Sequence, residues 1–157
     1  MTGLITVPKK VIVKAVSAEG ITELNAFDNC LIQAGLGNIS LVKITSLLPS
    51  DIEILDEAPQ LPNGANVPAI YAYKISSLNG QKIAAALALG WTNGGPTLVA
   101  EYADEEIDSE YAEKEVLRML RKMAEARNLE LTRYEVVSVD HVVKSTGCVL
   151  VIAAEVE

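Results

Sequence analysis

The chain has 157 residues, half of them apolar and 22% charged, which excludes a disordered chain and suits one domain spanning 1–157. Its net charge of −8 argues against nucleic-acid binding, which needs a basic face, and is compatible with a cationic small molecule as ligand. With aromatics at 4% the core must be built from Val, Ile, Leu and Ala, and a mean hydropathy of +0.25 in so short a chain predicts subunit interfaces.

In chain order, Met1 to Lys10 carries a proline and lysines but no apolar stretch, so no signal peptide is expected. Val11 to Val16 is β-branched and apolar and reads as a strand. A helix is expected from Asn25, as cap, to Ala34, with Asp28 in its first turn and Gly35 as its stop. After a Gly37-Asn38 turn, Ile39 to Ser46 reads as one strand, ended by Leu47-Leu48-Pro49. From Asp51 to Pro68, four prolines and glycines predict a long connection. Three strands follow, Ala69–Ser76, Lys82–Trp91 and Thr97–Ala103, separated by turns at Asn79-Gly80 and Asn93–Pro96. The uncharged run Ile83 to Ala100 is broken by that second turn, so it reads as two buried strands and not as a membrane span.

Ile107 to Arg127 is the clearest helix. Tyr111, Val116, Leu117, Leu120, Met123 and Ala124 form its apolar side, with acids at its start and Arg118, Arg121, Lys122 and Arg127 towards its end. Tyr134–Val143 and Cys148–Val156 close the chain as strands. Consecutive apolar positions in several strands require burial on both faces. The expected fold is therefore α+β or α/β: a four-layer α/β/β/α sandwich with mixed or antiparallel sheets. Cys30 and Cys148 form no CxxC pair and read as two buried, reduced thiols of a cytoplasmic protein.

Most standard sites fail on inventory. His141 is the one histidine, which excludes a histidine metal cluster and favours a structural or surface role. Gly35-Leu36-Gly37 follows a helix and precedes a strand, the reverse of a phosphate cradle. The acids Glu101, Asp104, Glu105, Glu106, Asp108 and Glu110 read mostly as a solvated helix start.

What remains is the run Gly37 to Pro49, preceded by Leu24-Asn25-Ala26-Phe27-Asp28. Further matching pieces are Ala18-Glu19-Gly20, Gly35 to Asn38, Leu61 to Pro68, Glu101-Tyr102 and His141 to Cys148. In this order and spacing, over nearly the whole chain, they resemble the pyruvoyl-dependent arginine decarboxylases, self-processing enzymes of polyamine synthesis. The sequence departs from the family in having Thr45 where serine is common and Ser40 where an asparagine linked to processing stands.

The resemblance implies autocatalytic serinolysis of the Thr45–Ser46 bond, giving a β chain 1–45 and an α chain 46–157 with a covalent pyruvoyl group made from Ser46. Ser40 is then the candidate processing helper, through a hydroxyl donor. Glu101 is the matched general acid, and its apolar neighbours Leu98 and Val99 are expected to raise its pKa. Asp28, Gly37 and Ile39 are the matched substrate-binding residues, Asp28 for the guanidinium of L-arginine. No metal and no pyridoxal phosphate are implied. The expected assembly is a trimer of cleaved protomers, or a dimer of trimers, with sites between subunits.

Without the resemblance, Ser46 reads as a turn hydroxyl, Glu101 as a strand-end acid and Asp28 as a first-turn acid serving the helix dipole. Two other functions stay open: decarboxylation of another amino acid such as histidine, and an uncleaved, non-catalytic assembly subunit.

Overall fold

The structure, a computed structural model, describes residues 5–157; of the opening segment read as lacking an export signal, 1–4 lie outside the described residues. The chain runs β1 (Lys10–Glu19), α1 (Glu23–Gln33), β2 (Ser40–Lys43), β3 (Leu47–Leu48), β4 (Glu53–Leu55), β5 (Asn66–Ser76), β6 (Lys82–Thr92), β7 (Thr97–Glu105), α2 (Ser109–Ala126), β8 (Leu131–Val142) and β9 (Gly147–Glu155). It is an α+β fold with two sheets and two helices. A five-stranded sheet has the order β2-β5-β9-β1-β4 and a four-stranded sheet the order β3-β7-β6-β8. The first is mixed, because β1 pairs with β4 and β2 with β5 in parallel, whereas every pair in the second is antiparallel.

The continuous apolar runs explain the packing. β6 is buried from Ile83 to Trp91 and β9 from Gly147 to Ala154, so each strand needs apolar cover on both faces. Alternate residues supply it. Ile83, Ala85, Leu87 and Leu89 of β6 meet Val149, Val151 and Ala153 of β9 in one core between the sheets. The opposite set on β9, Cys148, Leu150, Ile152 and Ala154, packs with Ala26 and Cys30 of α1. On β6, Ala84, Ala86 and Ala88 pack with Ala112, Val116, Leu120 and Ala124 of α2.

Several details differ from the sequence reading. The cap of α1 is Thr22, whose hydroxyl oxygen accepts from Asn25 N at 3.2 Å; Asn25 sits inside the first turn, where its side chain accepts from the Thr22 hydroxyl at 2.6 Å. Tyr111 lies off the apolar side of α2 and is 52% exposed, because the buried positions follow a four-residue repeat that leaves it out. The last turn of α2 holds no basic residue; Arg127 is its C-cap and donates to Met123 O. The connection after Asp51 contains β4, and β5 begins at Asn66, passing through Pro68, which the sheet tolerates because the β9 ladder starts only at Ala69.

The run read as one strand, Ile39 to Ser46, is broken. β2 ends at Lys43 and the chain leaves one sheet for the other. Ile44 N still donates to Ala69 O on the β5 edge at 2.9 Å, and two residues later Ser46 O accepts from Val99 N on the β7 edge at 2.9 Å. Among the described residues, the edges of β5 and β7 beyond this crossover have no further strand partner on that side. Among the described residues no helix is long and apolar enough to cross a membrane.

Candidate active site

The crossover places the Thr45–Ser46 bond at an edge of the molecule, between two ladders. Thr45 is exposed and Ser46 half-buried at a bend just before β3. The Ser46 carbonyl is held by Val99 N, and the next residue, Leu47, pairs with Leu98. Glu101 follows Val99 by two positions, about 7 Å along the strand and on the same face. That face is the inter-sheet one, since Val99 is in the core between the sheets and Ala103 packs against it.

Glu101 lines a cleft of about 510 Å³ with Lys43, Tyr71, Ala72, Tyr73, Tyr102 and Ala103. It is half-buried, and burial raises its carboxyl above the usual carboxylate range, while the positive charge of Lys43 opposes that rise. Lys43 is itself held in place. Its Nζ donates to Tyr71 O at 2.5 Å and lies 4.2 Å from the centroid of the Tyr71 ring. Tyr71 and Tyr73, two apart on β5, share a face, and Phe27 of α1 meets Tyr73 edge-on with ring centroids 4.8 Å apart.

The remaining sequence-predicted residues lie elsewhere in the chain. Asp28 is exposed on α1, next to Phe27, and does not line the Glu101 cleft. Gly37 and Ile39 line a separate cleft of about 470 Å³ with Ile32, Gly35 and Leu61. Gly35 carries a positive φ of 82° after the α1 C-cap, but Gly37 is needed for closeness: a Cβ there would meet Ile32 Cγ1 at 2.8 Å. Ser40 is exposed at the start of β2, the end remote from Thr45, and donates its N–H to Ala65 O at 2.8 Å. One copy of the chain thus joins Ser46, Thr45, Glu101 and Lys43 at one edge and leaves Asp28, Gly37, Ile39 and Ser40 apart from them.

Two features escaped the sequence reading. Lys43 was legible only as a strand residue, and the Tyr71/Tyr73 pair only as strand-forming aromatics. His141 is structural: its Nε2 donates to Glu19 Oε2 at 2.6 Å, since an ionised carboxylate only accepts. The same carboxylate accepts from Ser145 N at 2.8 Å and Lys144 N at 3.1 Å. It thereby ties the end of β1 to β8 and to the turn before β9. Cys30 and Cys148 are buried and unbonded, with the Cys30 thiol donating to Cys148 O at 3.4 Å.

The chain is similar over nearly its whole length to proteins of one family. The family described as pyruvoyl-dependent arginine decarboxylase matches residues 9–156. A protein of Methanocaldococcus jannaschii named pyruvoyl-dependent arginine decarboxylase is 40% identical over 149 residues, covering 94% of this chain and 89% of that one. Proteins of the same name from Pyrococcus horikoshii and Pyrococcus abyssi are each 41% identical, the first covering 93% of both chains and the second 94% of both. With a match of that extent, spanning both sheets and the crossover between them, the chain belongs to the pyruvoyl-dependent arginine decarboxylase family.

Proposed function

We propose that this chain cuts itself between Thr45 and Ser46, carries a pyruvoyl group made from Ser46, and decarboxylates L-arginine to agmatine and carbon dioxide. The observation that carries the reading is the crossover. A half-buried serine sits between two sheet edges, its carbonyl anchored, two positions along β7 from a carboxyl that burial keeps inclined to hold a proton.

The cleavage balances on the chain's own atoms and one water. The Ser46 hydroxyl attacks the Thr45 carbonyl, and the amide becomes an ester. Elimination then leaves Thr45 as a free carboxylate and a dehydroalanine at position 46, which takes up water and loses ammonia to become the ketone. Anchoring of the Ser46 carbonyl by Val99 N restricts the backbone through these steps. The residues present suit such a ketone, because position 46 is half-covered, at a chain bend, and free of any charged neighbour on β3. When present, the group supplies a carbonyl that takes the substrate amine and accepts the electrons released with carbon dioxide.

Glu101 then delivers its proton to the α-carbon as general acid, a step worth about 10²–10⁴ in rate. Asp28 offers a carboxylate with two acceptor oxygens to a guanidinium, and Gly37 and Ile39 wall the substrate. In one chain these groups stand apart from Glu101, which supports a homo-oligomer, a trimer or pair of trimers, with each site completed between copies. The exposed apolar residues Leu24 and Ile32 of α1, and Ile21 just before its cap, support the same reading. The three apolar clusters, one between the sheets and one under each helix, support a four-layer α/β/β/α sandwich. Two unpaired buried thiols support a cytoplasmic site of action.

The test is the intact mass of the purified protein after incubation, followed by release of carbon dioxide from L-arginine. The expected result is two chains, 1–45 and 46–157, the second lighter by one ammonia than a fragment beginning with serine. Ser46→Ala stays one chain and releases nothing. Wild-type protein that remains a single chain after prolonged incubation overturns the reading, and turnover of histidine in preference to arginine overturns the substrate.

A further inference from the structure

Three asparagines in the chain are followed by glycine: Asn63, Asn79 and Asn93. None has a part in the function proposed above. Such a pair is chemically fragile, because glycine puts no side chain in the way of its own amide nitrogen. That nitrogen, once deprotonated by hydroxide, attacks the asparagine side-chain carbonyl. The new bond closes a succinimide ring as the Cγ–Nδ2 bond breaks and ammonia leaves. One water then opens the ring at either carbonyl, giving aspartate or isoaspartate.

Exposure does not distinguish the three pairs. Each asparagine and each following glycine is exposed, and a Cβ built on Gly64, Gly80 or Gly94 meets nothing within 4 Å. The attacking nitrogens differ. Gly64 N donates to Asn38 O at 2.7 Å and Gly80 N to Val143 O at 2.8 Å. The Asn79 side chain is held as well, its Nδ2 donating to Lys144 O at 2.6 Å. At the third pair the backbone bond falls one residue earlier: Asn93 N donates to Glu130 O at 3.1 Å. The connection is closed by the Thr92 hydroxyl, which donates to Pro96 O at 2.9 Å. Among the described residues, neither Gly94 N nor the Asn93 side chain has a hydrogen-bond partner.

We propose that Asn93 is a site of spontaneous deamidation, and that the fold protects Asn63 and Asn79 by engaging the glycine N–H that the reaction must deprotonate. A held N–H must first leave its carbonyl, and that opening slows the attack. The Asn93 link joins β6 to β7, the strand that carries Val99 and Glu101. Aspartate adds a negative charge to that connection, and isoaspartate lengthens its backbone by a methylene.

The test holds the full chain at mildly alkaline pH, folded in buffer or unfolded in guanidinium chloride. Digests are read by peptide mass for the exchange of amide for acid, and isoaspartate is counted by methylation with an isoaspartyl methyltransferase. Each pair is compared with its own rate in the unfolded chain. In folded protein Asn93 reacts at close to its unfolded rate, whereas Asn63 and Asn79 slow by at least about fivefold, the effect of one hydrogen bond that must open first. Asn93→Gln removes the methylation of folded protein. All three pairs lie beyond the Thr45–Ser46 bond, so the readout is the same in cut and uncut chains. Protection of Asn93 as strong as that of Asn63 and Asn79 overturns the inference. So does reaction of all three in folded protein at their unfolded rates, because the hydrogen bonds to Gly64 N and Gly80 N then protect nothing.

Discussion

Replacement of Glu19 by glutamine removes the charge on which three hydrogen bonds converge, from His141 Nε2, Ser145 N and Lys144 N. Burial by itself raises the Glu19 carboxyl, but the bonds from His141, Ser145 and Lys144 outweigh it and hold the pKa at about 2, against an ordinary 4.5. A folded value below the unfolded one means stability that is fully present above 4.5 and lost as pH falls through about 2. By linkage that difference corresponds to about 3 kcal/mol at neutral pH. The side chain keeps 27% of its exposure, and water screening reduces the expected figure to about 2 kcal/mol. Glu19→Gln is therefore expected to unfold in urea with about 2 kcal/mol less stability near pH 7, at matched protein concentration. The gap should close as the pH is lowered towards about 2, because the wild-type carboxyl then also becomes neutral. Two stability curves that run parallel from about pH 6 to about pH 2 refute the reasoning, since the bonds would then owe nothing to the charge.

Other perturbations have equally definite outcomes. Glu101→Gln is expected to be cut into two chains yet to lose about 10²–10⁴ in kcat, read by intact mass and carbon dioxide release; unchanged kcat removes Glu101 from proton transfer. Gly20→Ala puts a Cβ 2.3 Å from Ala26 N, a backbone atom of α1 that cannot swing aside. It should cost at least about 1–3 kcal/mol, seen as a lowered Tm, and an unaltered Tm shows that α1 is not seated as described. Leu120→Ala empties a fully buried position between α2 and the four-stranded sheet and should cost about 2–5 kcal/mol in urea unfolding. A loss below about 1 kcal/mol would mean that α2 does not rest on that sheet through this residue.

What could be read from the sequence were the features whose causes are local. Val116, Leu120 and Ala124, spaced by four, mark α2, and the unbroken apolar runs of β6 and β9 mark strands covered on both faces, because burial needs no knowledge of the partner. Gly80 and Gly94, each with φ of 86°, sit in turns that their neighbours announce. The features that escaped are set by distant partners. Ile44 continues the apolar character of β2, so nothing nearby says that the strand stops at Lys43; the stop is made by Ala69 on one sheet and Val99 on the other. β4 is three residues long and depends on β1 for its pairing. Glu19 and His141 each fell within a stretch that carried the family likeness, but 122 positions separate them and only the fold shows that they are one clamp. Among the candidate site residues, Ser46 and Glu101 share an edge because β3 pairs with β7, whereas Asp28 sits on α1, and Gly37 and Ile39 precede β2 at the end away from Thr45.

The division of strands about the Thr45–Ser46 bond has a consequence for the life of a cut molecule. The segment before the bond contributes β1, which lies inside the larger sheet between β9 and β4, and β2 at its far edge. Both neighbours of β1 belong to the segment after the bond, so the shorter piece is woven through the longer one and cannot leave without tearing a sheet open. Once severed and denatured, however, the two pieces are independent chains, and recovery becomes a second-order encounter that dilution defeats. If the chain is cut as proposed, the route to the mature protein runs in one direction, folding first and scission second.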